Sequence, residues 1–168
     1  MVISTIQYQR ILVPLDVSTT ADAAVAHAVH LASLEHATLT LLYVINSLDE
    51  IRGIGGQLVS IDEMWEARRV AALEYPHFVQ ARPELREATV GVAIETGPIA
   101  ERIVAFAARE QYDVIVISAH GYSGFKRWIL GSVADRILRT SDRPVFLVDT
   151  NPSGQSGSVG GPVGEPIS

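Results

Sequence analysis

The chain has 168 residues, of which 48% are hydrophobic and 19% are charged, and its net charge is −6. No apolar stretch approaches the roughly 20 residues that a membrane-spanning helix needs, so we expect no membrane partner and no signal peptide. The absence of cysteine excludes disulfide and thiol chemistry and fits a cytoplasmic location. A single lysine among the 13 basic residues leaves no basic patch suited to a nucleic acid.

The first third of the chain predicts two strands separated by a helix. Residues 10–16 (RILVPLD) form the first strand, and Pro14 should lie near its carboxyl end, since proline is rarely tolerated in the middle of a sheet. Residues 38–45 (TLTLLYVI) form a second strand that is almost entirely apolar or β-branched. Between them a helix is predicted over about 20–36. Its apolar stripe comprises Ala24, Ala28, Leu31, Ala32 and Leu34.

The middle of the chain predicts an irregular loop, two helices and a third strand. Residues 46–59 carry a cluster of glycines, and a Ser-x-x-Glu capping box then opens a helix over about 60–81. Pro76 should kink or interrupt that helix. Residues 88–95 alternate as expected for a strand, and Pro98 suits the first turn of the next helix. The apolar face of that helix comprises Ile99, Ala100, Ile103, Val104 and Ala107.

The stretch 114–140 contains the strongest functional signal. Residues 114–117 (VIVI) are typical of a strand buried on both faces, and residues 118–124 form a loop of small residues. Gly131 and Ser132 then open a helix with Ser132 as its predicted N-cap. The N–H groups at a helix start lack acceptors, and the helix dipole favours negative charge there. The sequence therefore predicts an anion site at this helix start.

Strands alternate with helices along the whole chain, and residues 144–149 supply a fifth strand. This order predicts an α/β fold: one open five-stranded parallel sheet, Rossmann-like and doubly wound, with helices on both faces. Such sheets bind ligands beyond the carboxyl ends of their strands, at the switch point in strand order. If the first and fourth strands are neighbours, Asp16 and Ser118 line one crevice. We assign residues 1–150 to this domain and expect the Gly/Pro-rich residues 151–168 to be a disordered tail.

Several separated segments resemble one known family. The segments RILVPLD, LTLLYVI, VIVISAHG and GSVADRIL, in this order and spacing, look like the universal stress protein family over residues 9–149. The ATP-binding branch of that family carries Gly-x2-Gly-x9-Gly-Ser/Thr. Gly121, Gly131 and Ser132 match its last three elements, whereas Ser118 replaces the first glycine. The Ser118 side chain could crowd the ribose and phosphates, or donate an additional hydrogen bond.

The resemblance implies a dimeric regulatory protein of the stress response that binds ATP or another adenine nucleotide, which Mg²⁺ could accompany. It also implies a homodimer formed through the last strand, and an apolar edge strand is itself prone to pair with another chain. The implied interface residues are Val145, Phe146, Leu147 and Val148. The implied nucleotide-binding residues are Pro14, Leu15, Asp16, Val44, Ser118, His120, Gly121, Gly131, Ser132 and Val133.

Two other functions stay open at this point. A slow ATP hydrolase or phosphoryl-transfer protein would need a base and a cation for the terminal phosphates, and we assign no catalytic residue and find no Walker A lysine. A dimeric interaction module with an empty crevice is favoured by Ser118. We expect no metal site of the protein's own, since His27 and His30, three residues apart on one helix, have no evident third ligand.

Overall fold

The computed structural model describes residues 6–15, 19–46, 70, 73–86, 88–119 and 130–149. The strands are β1 (Arg10–Leu15), β2 (Thr38–Ile45), β3 (Val90–Thr96), β4 (Val114–Ser118) and β5 (Val145–Val148). The helices are α1 (Thr19–Glu35), α2 (helical residues 73–80), α3 (Ile99–Arg109) and α4 (Ser132–Thr140), with a 3-10 turn at Pro83–Leu85. Within the described part of the chain, no helix is long and apolar enough to cross a bilayer.

The strands form one parallel sheet in the order β3-β2-β1-β4-β5. The predicted α/β class and the predicted five-stranded parallel sheet are therefore confirmed. β1 and β4, whose adjacency the sequence left open, are neighbours, and β5 lies at an edge of the sheet as expected. Since the chain winds from β1 to β3 in one direction and from β4 to β5 in the other, the switch point lies between β1 and β4.

Pro14 shapes the sheet at this switch point. The ladder between β1 and β2 extends from Arg10 to Leu15, whereas the pairing of β1 with β4 ends at Leu12, opposite Ile115. Pro14 has no N–H to donate, and it is the penultimate residue of β1, as predicted. β1 and β4 are thus not paired with each other over their carboxyl ends, where a ligand crevice is expected in this type of sheet.

Two apolar layers cover the two faces of the sheet. On one face α1 packs with α2, and on the other α3 packs with α4, so that the helices lie on both faces as predicted. Residues of the first layer include Ile11, Val13, Leu15, Ala24, Ala28, Leu41, Val79 and Val116. Residues of the second layer include Leu12, Leu42, Val44, Ala100, Ile103, Ile117, Ala134 and Ile137.

Three local predictions need correction. Leu34 is 65% exposed, because the buried face of α1 is formed by small residues such as Ala28 and Leu34 projects from the opposite side. The helix is continuous over residues 73–80 and Pro76 does not interrupt it there. Ser132 is the first helical residue of α4 and Gly131 is its N-cap, without a side-chain cap. The predicted glycine-rich loop, the capping box that opens residues 60–81, and the tail 151–168 lie outside the described residues.

Candidate functional site

The carboxyl ends of β1, β2 and β4 meet at one edge of the sheet, beside the switch point. Sequence-predicted site residues at this edge are all buried: Pro14, Leu15 (7% exposed), Val44 (8%) and Ser118 (9%). Pro14 pairs with Leu42 of β2, and the next residue, Leu15, is the last residue of β1 that pairs with β2. Since side chains alternate along a strand, Val44 lies on the same face as Leu42 and packs in the layer of α3 and α4. Val44 and Pro14, which alternation from Leu12 places on the same face, give this side of the edge an apolar floor, whereas Leu15 packs in the layer of α1.

The start of α4 is attached directly to the end of β4. The Gly131 N–H donates to the Ala119 carbonyl over 2.9 Å, and the Ala119 N–H donates to the Val148 carbonyl over 2.8 Å. These two bonds place Gly131 at the end of β4, and Val133 packs against the same apolar layer as Val44. The predicted site residues Asp16, His120 and Gly121 lie outside the described residues.

The first turn of α4 presents backbone donors at this edge. The intrahelical ladder begins with the Asp135 N–H, which donates to the Gly131 carbonyl over 2.9 Å. Among the described residues, the N–H groups of Ser132, Val133 and Ala134 meet no acceptor, as expected for a helix start. The Gly131 N–H itself is taken up by its hydrogen bond to the Ala119 carbonyl. The donors available to an anion come one residue later.

The Ser118 side chain lies on the face of the sheet opposite to α4. Val116 packs in the layer of α1, whereas Ile117 packs in the layer of α3 and α4. Successive side chains of a strand point to opposite faces. The Ser118 side chain, two residues after Val116, therefore lies on the α1 side of the sheet. The sequence left open whether Ser118 crowds the phosphates, and this geometry argues against crowding at the start of α4.

Charged side chains surround the exposed face of α4. An Arg136 Nη2 lies 2.7 Å from a Glu101 carboxylate oxygen, and this ion pair joins α4 to α3. Arg139 donates to Asp135 over 2.9 and 3.0 Å. This hydrogen bond holds the pKa of the Asp135 carboxyl below its ordinary value and raises the pKa of Arg139. The sequence pattern did not indicate the pairing of Arg136 with Glu101.

A model of the universal stress protein family matches residues 7–149, which is most of the chain. The chain belongs to the universal stress protein family. The resemblance seen in the sequence segments is therefore confirmed at the level of the family.

Two related universal stress proteins align with this chain over almost their whole length. Universal stress protein MJ0577 of Methanocaldococcus jannaschii is 28% identical over 86% of this chain and 96% of its own length. Universal stress protein YxiE of Bacillus subtilis is 30% identical over 84% of this chain and 99% of its own. The solved structure of MJ0577 superposes with a TM-score of 0.71 at 27% identity, covering 87% of this chain and 99% of that one.

Another solved universal stress protein, in complex with cAMP, has a TM-score of 0.60 at 22% identity and covers 86% of this chain and 99% of that one. At this identity the likeness is one of fold.

The last strand of this universal stress protein leaves apolar side chains exposed at the sheet edge. Phe146 is 49% exposed and Leu147 is 37% exposed, whereas Val148 is buried and Val145 is partly buried. The exposed His27 ring lies 6.2 Å from the Phe146 ring, centroid to centroid. His27 thus borders this edge. Among the described residues, no group of three or more His, Asp or Glu side chains is placed to hold a metal ion.

Proposed function

We propose that this universal stress protein binds an adenine nucleotide at the carboxyl edge of its sheet and acts as a dimeric regulatory module. The observation that carries the proposal is the juxtaposition at one edge of an apolar floor and a helix start whose first N–H groups meet no acceptor among the described residues. An aromatic base needs an apolar surface, and phosphates need oriented donors, so the two parts suit the two ends of a nucleotide.

The apolar floor suits the base. Val44 lies on the α3 and α4 side of the sheet, and alternation from Leu12 places Pro14 there too, beside the carboxyl ends of β1 and β4 that are not paired with each other. A purine ring against these side chains would remove their remaining apolar surface from water. The carboxylate of Asp16, which follows β1 in sequence, is a predicted acceptor for a ribose hydroxyl or for the adenine amino group, and this role stays a prediction.

The start of α4 suits the phosphates. The N–H groups of Ser132 and Val133 and the exposed Ser132 hydroxyl can donate to phosphate oxygens, and the helix dipole adds a favourable field. Gly131 contributes by the absence of a side chain beside this start, which lets an anion approach the backbone. Gly121 and His120 stay predictions of the family resemblance. We assign Mg²⁺ no protein ligand, and any such ion would be held through the nucleotide's phosphates.

The complex of another universal stress protein with cAMP supports a nucleotide as the ligand class of the fold, without naming the nucleotide here. The exposed β5 edge supports a homodimer, since an edge strand with apolar side chains can pair with a second copy. We propose binding as the role of the site because the described residues at this edge are apolar side chains, backbone donors and a serine hydroxyl. The cytoplasmic location stays a prediction.

Freshly purified protein, denatured and analysed by mass spectrometry, should release an adenine nucleotide. Calorimetry and thermal shift with ATP, AMP and cAMP should then show binding, and Ser132→Leu should abolish it because the bulky side chain covers the helix start. Ser33→Leu is the matched control, since Ser33 is exposed on α1 and donates to the His30 carbonyl. No released nucleotide together with no shift by any of the three ligands would refute the proposal and favour an interaction module.

A further inference from the structure

The ion pair between Arg136 and Glu101 joins α4 and α3, the two helices that pack on the Val44 side of the sheet. Glu101 lies in the first turn of α3, and Arg136 lies in the second turn of α4. Their side chains are 48% and 61% exposed, and the closest nitrogen–oxygen distance is 2.7 Å. An exposed ion pair of this kind is screened by water and contributes little to stability, so exchanging the partner of Arg136 is inexpensive.

Arg136 occupies the same face of α4 as Ser132. Residues four apart on a helix are neighbours on its surface. Side chains of a helix also lean towards its N-terminus, so the long Arg136 side chain extends along α4 towards Ser132. Its contact with Glu101, in the first turn of α3, places the guanidinium group towards the ends at which α3 and α4 begin, where the proposed function places the phosphates.

We propose that Arg136 is a specificity residue of this site, which exchanges the Glu101 carboxylate for the outer phosphates of a nucleotide. The inference rests on the proposed function and deepens it, because it states how the site distinguishes nucleotides by phosphate number. A nucleoside triphosphate carries more negative charge than the first-turn N–H groups of a helix can offset. No Walker A lysine is present, and a guanidinium group binds phosphate oxygens in a bidentate manner.

Glu101 sets how strongly the site prefers a nucleoside triphosphate over ligands with fewer phosphates. While the site is free, the carboxylate holds the guanidinium of Arg136 in place and neutralises it. A ligand without an outer phosphate gives Arg136 nothing in exchange, so the ion pair persists. A triphosphate competes with the carboxylate for the same donors, and the carboxylate opposes its binding. Removal of the carboxylate should therefore strengthen triphosphate binding selectively.

The test is calorimetric titration of the full chain with adenosine, AMP and ATP. Arg136→Gln should weaken ATP binding by roughly tenfold, as expected for loss of a charge-assisted hydrogen bond, weaken AMP binding less, and leave adenosine binding unchanged. Glu101→Gln should tighten ATP binding by about threefold. Arg139→Gln is the matched control, since it removes the same charge from the next turn of α4, where Asp135 holds the guanidinium. Circular dichroism confirms that each variant is folded.

Three outcomes overturn the inference, and they differ in what they say about the site. If the unaltered protein binds ATP and the variants at residues 136 and 139 bind it equally well, Arg136 does not select for phosphate, while nucleotide binding stands. If the unaltered protein binds neither adenosine, AMP nor ATP, both the proposed function and this inference are refuted. Equal weakening of adenosine and ATP by Arg136→Gln would also overturn it, since a phosphate contact cannot alter adenosine binding.

Discussion

Ser118→Gly restores the glycine that the ATP-binding branch of the family carries at this position. The structure predicts that this variant loses stability and that its affinity for ATP changes little. Glycine in a strand costs about 0.5–1 kcal/mol of backbone entropy relative to alanine. Removal of the buried β-carbon, in a residue only 9% exposed, costs roughly a further 0.8 kcal/mol. The expected loss is about 1–2 kcal/mol, which corresponds to a fall in Tm of roughly 2–8 °C for a domain of this size.

The affinity for ATP should change by less than about threefold, which is below roughly 0.7 kcal/mol. The reason is that the Ser118 side chain follows Val116 on the α1 side of the sheet, whereas Ser132 and Val133 begin α4 on the other side. Thermal unfolding followed by circular dichroism measures the change in Tm, and calorimetric titration measures the change in affinity for ATP.

Ser118→Ala serves as the comparison, since it keeps the β-carbon and removes only the hydroxyl group. Its Tm should lie above that of the glycine variant, because alanine retains the backbone restriction. A tenfold or larger gain in ATP affinity on Ser118→Gly, with Tm unchanged, would refute the reasoning. Such a result would mean that the side chain occupies the nucleotide crevice.

Two further predictions concern the edge of the sheet and the surface of α4. Leu147→Glu should convert a dimer into a monomer in light scattering, because it places a charge on the exposed β5 edge. Leu34→Glu is the control, since it places the same charge at a 65% exposed leucine of α1 and should leave the dimer intact. A dimer that persists in the Leu147→Glu variant would contradict the proposed interface. Since the pKa of Asp135 is lowered in the folded state, its stabilising contribution is present above the unfolded pKa and is lost as the pH falls through the folded pKa. Carboxyl carbon NMR should show this pKa rising towards its ordinary value in Arg139→Gln, and an unchanged pKa would exclude Arg139 as the cause.

Much of the site could be found from the sequence because it is built from local patterns. The strand β2 has the predicted bounds, since a run of β-branched and apolar residues is favourable only where both faces of a strand are buried. The helix at Gly131 was expected from its glycine and serine, whereas the predicted loop after β4 lies almost wholly outside the described residues. The errors are also local: Leu34 was assigned to the buried stripe because it is apolar, although its position around α1 directs it to water. Periodicity alone did not separate the two faces.

Hydrogen bonds across the fold decided the details of the site. Gly131 rather than Ser132 is the N-cap of α4, with its N–H bonded to Ala119 at the end of β4, and the preference of serine for N-caps could not reveal this. The pairing of Arg136 with Glu101 likewise joins helices that are distant in sequence. Neither contact leaves a periodic signal in the chain.

The sequence by itself determined the α/β class, the alternation of strands and helices, and the family. These follow from the period of apolar residues and from turn residues, which act over a few positions along the chain. Only the tertiary structure decided that β1 and β4 are neighbours whose pairing ends before Pro14, and that the Ser118 side chain faces α1. Strand order and side-chain direction depend on contacts between residues about a hundred positions apart in the chain, such as Ile11 with Val114, and a linear pattern does not record them.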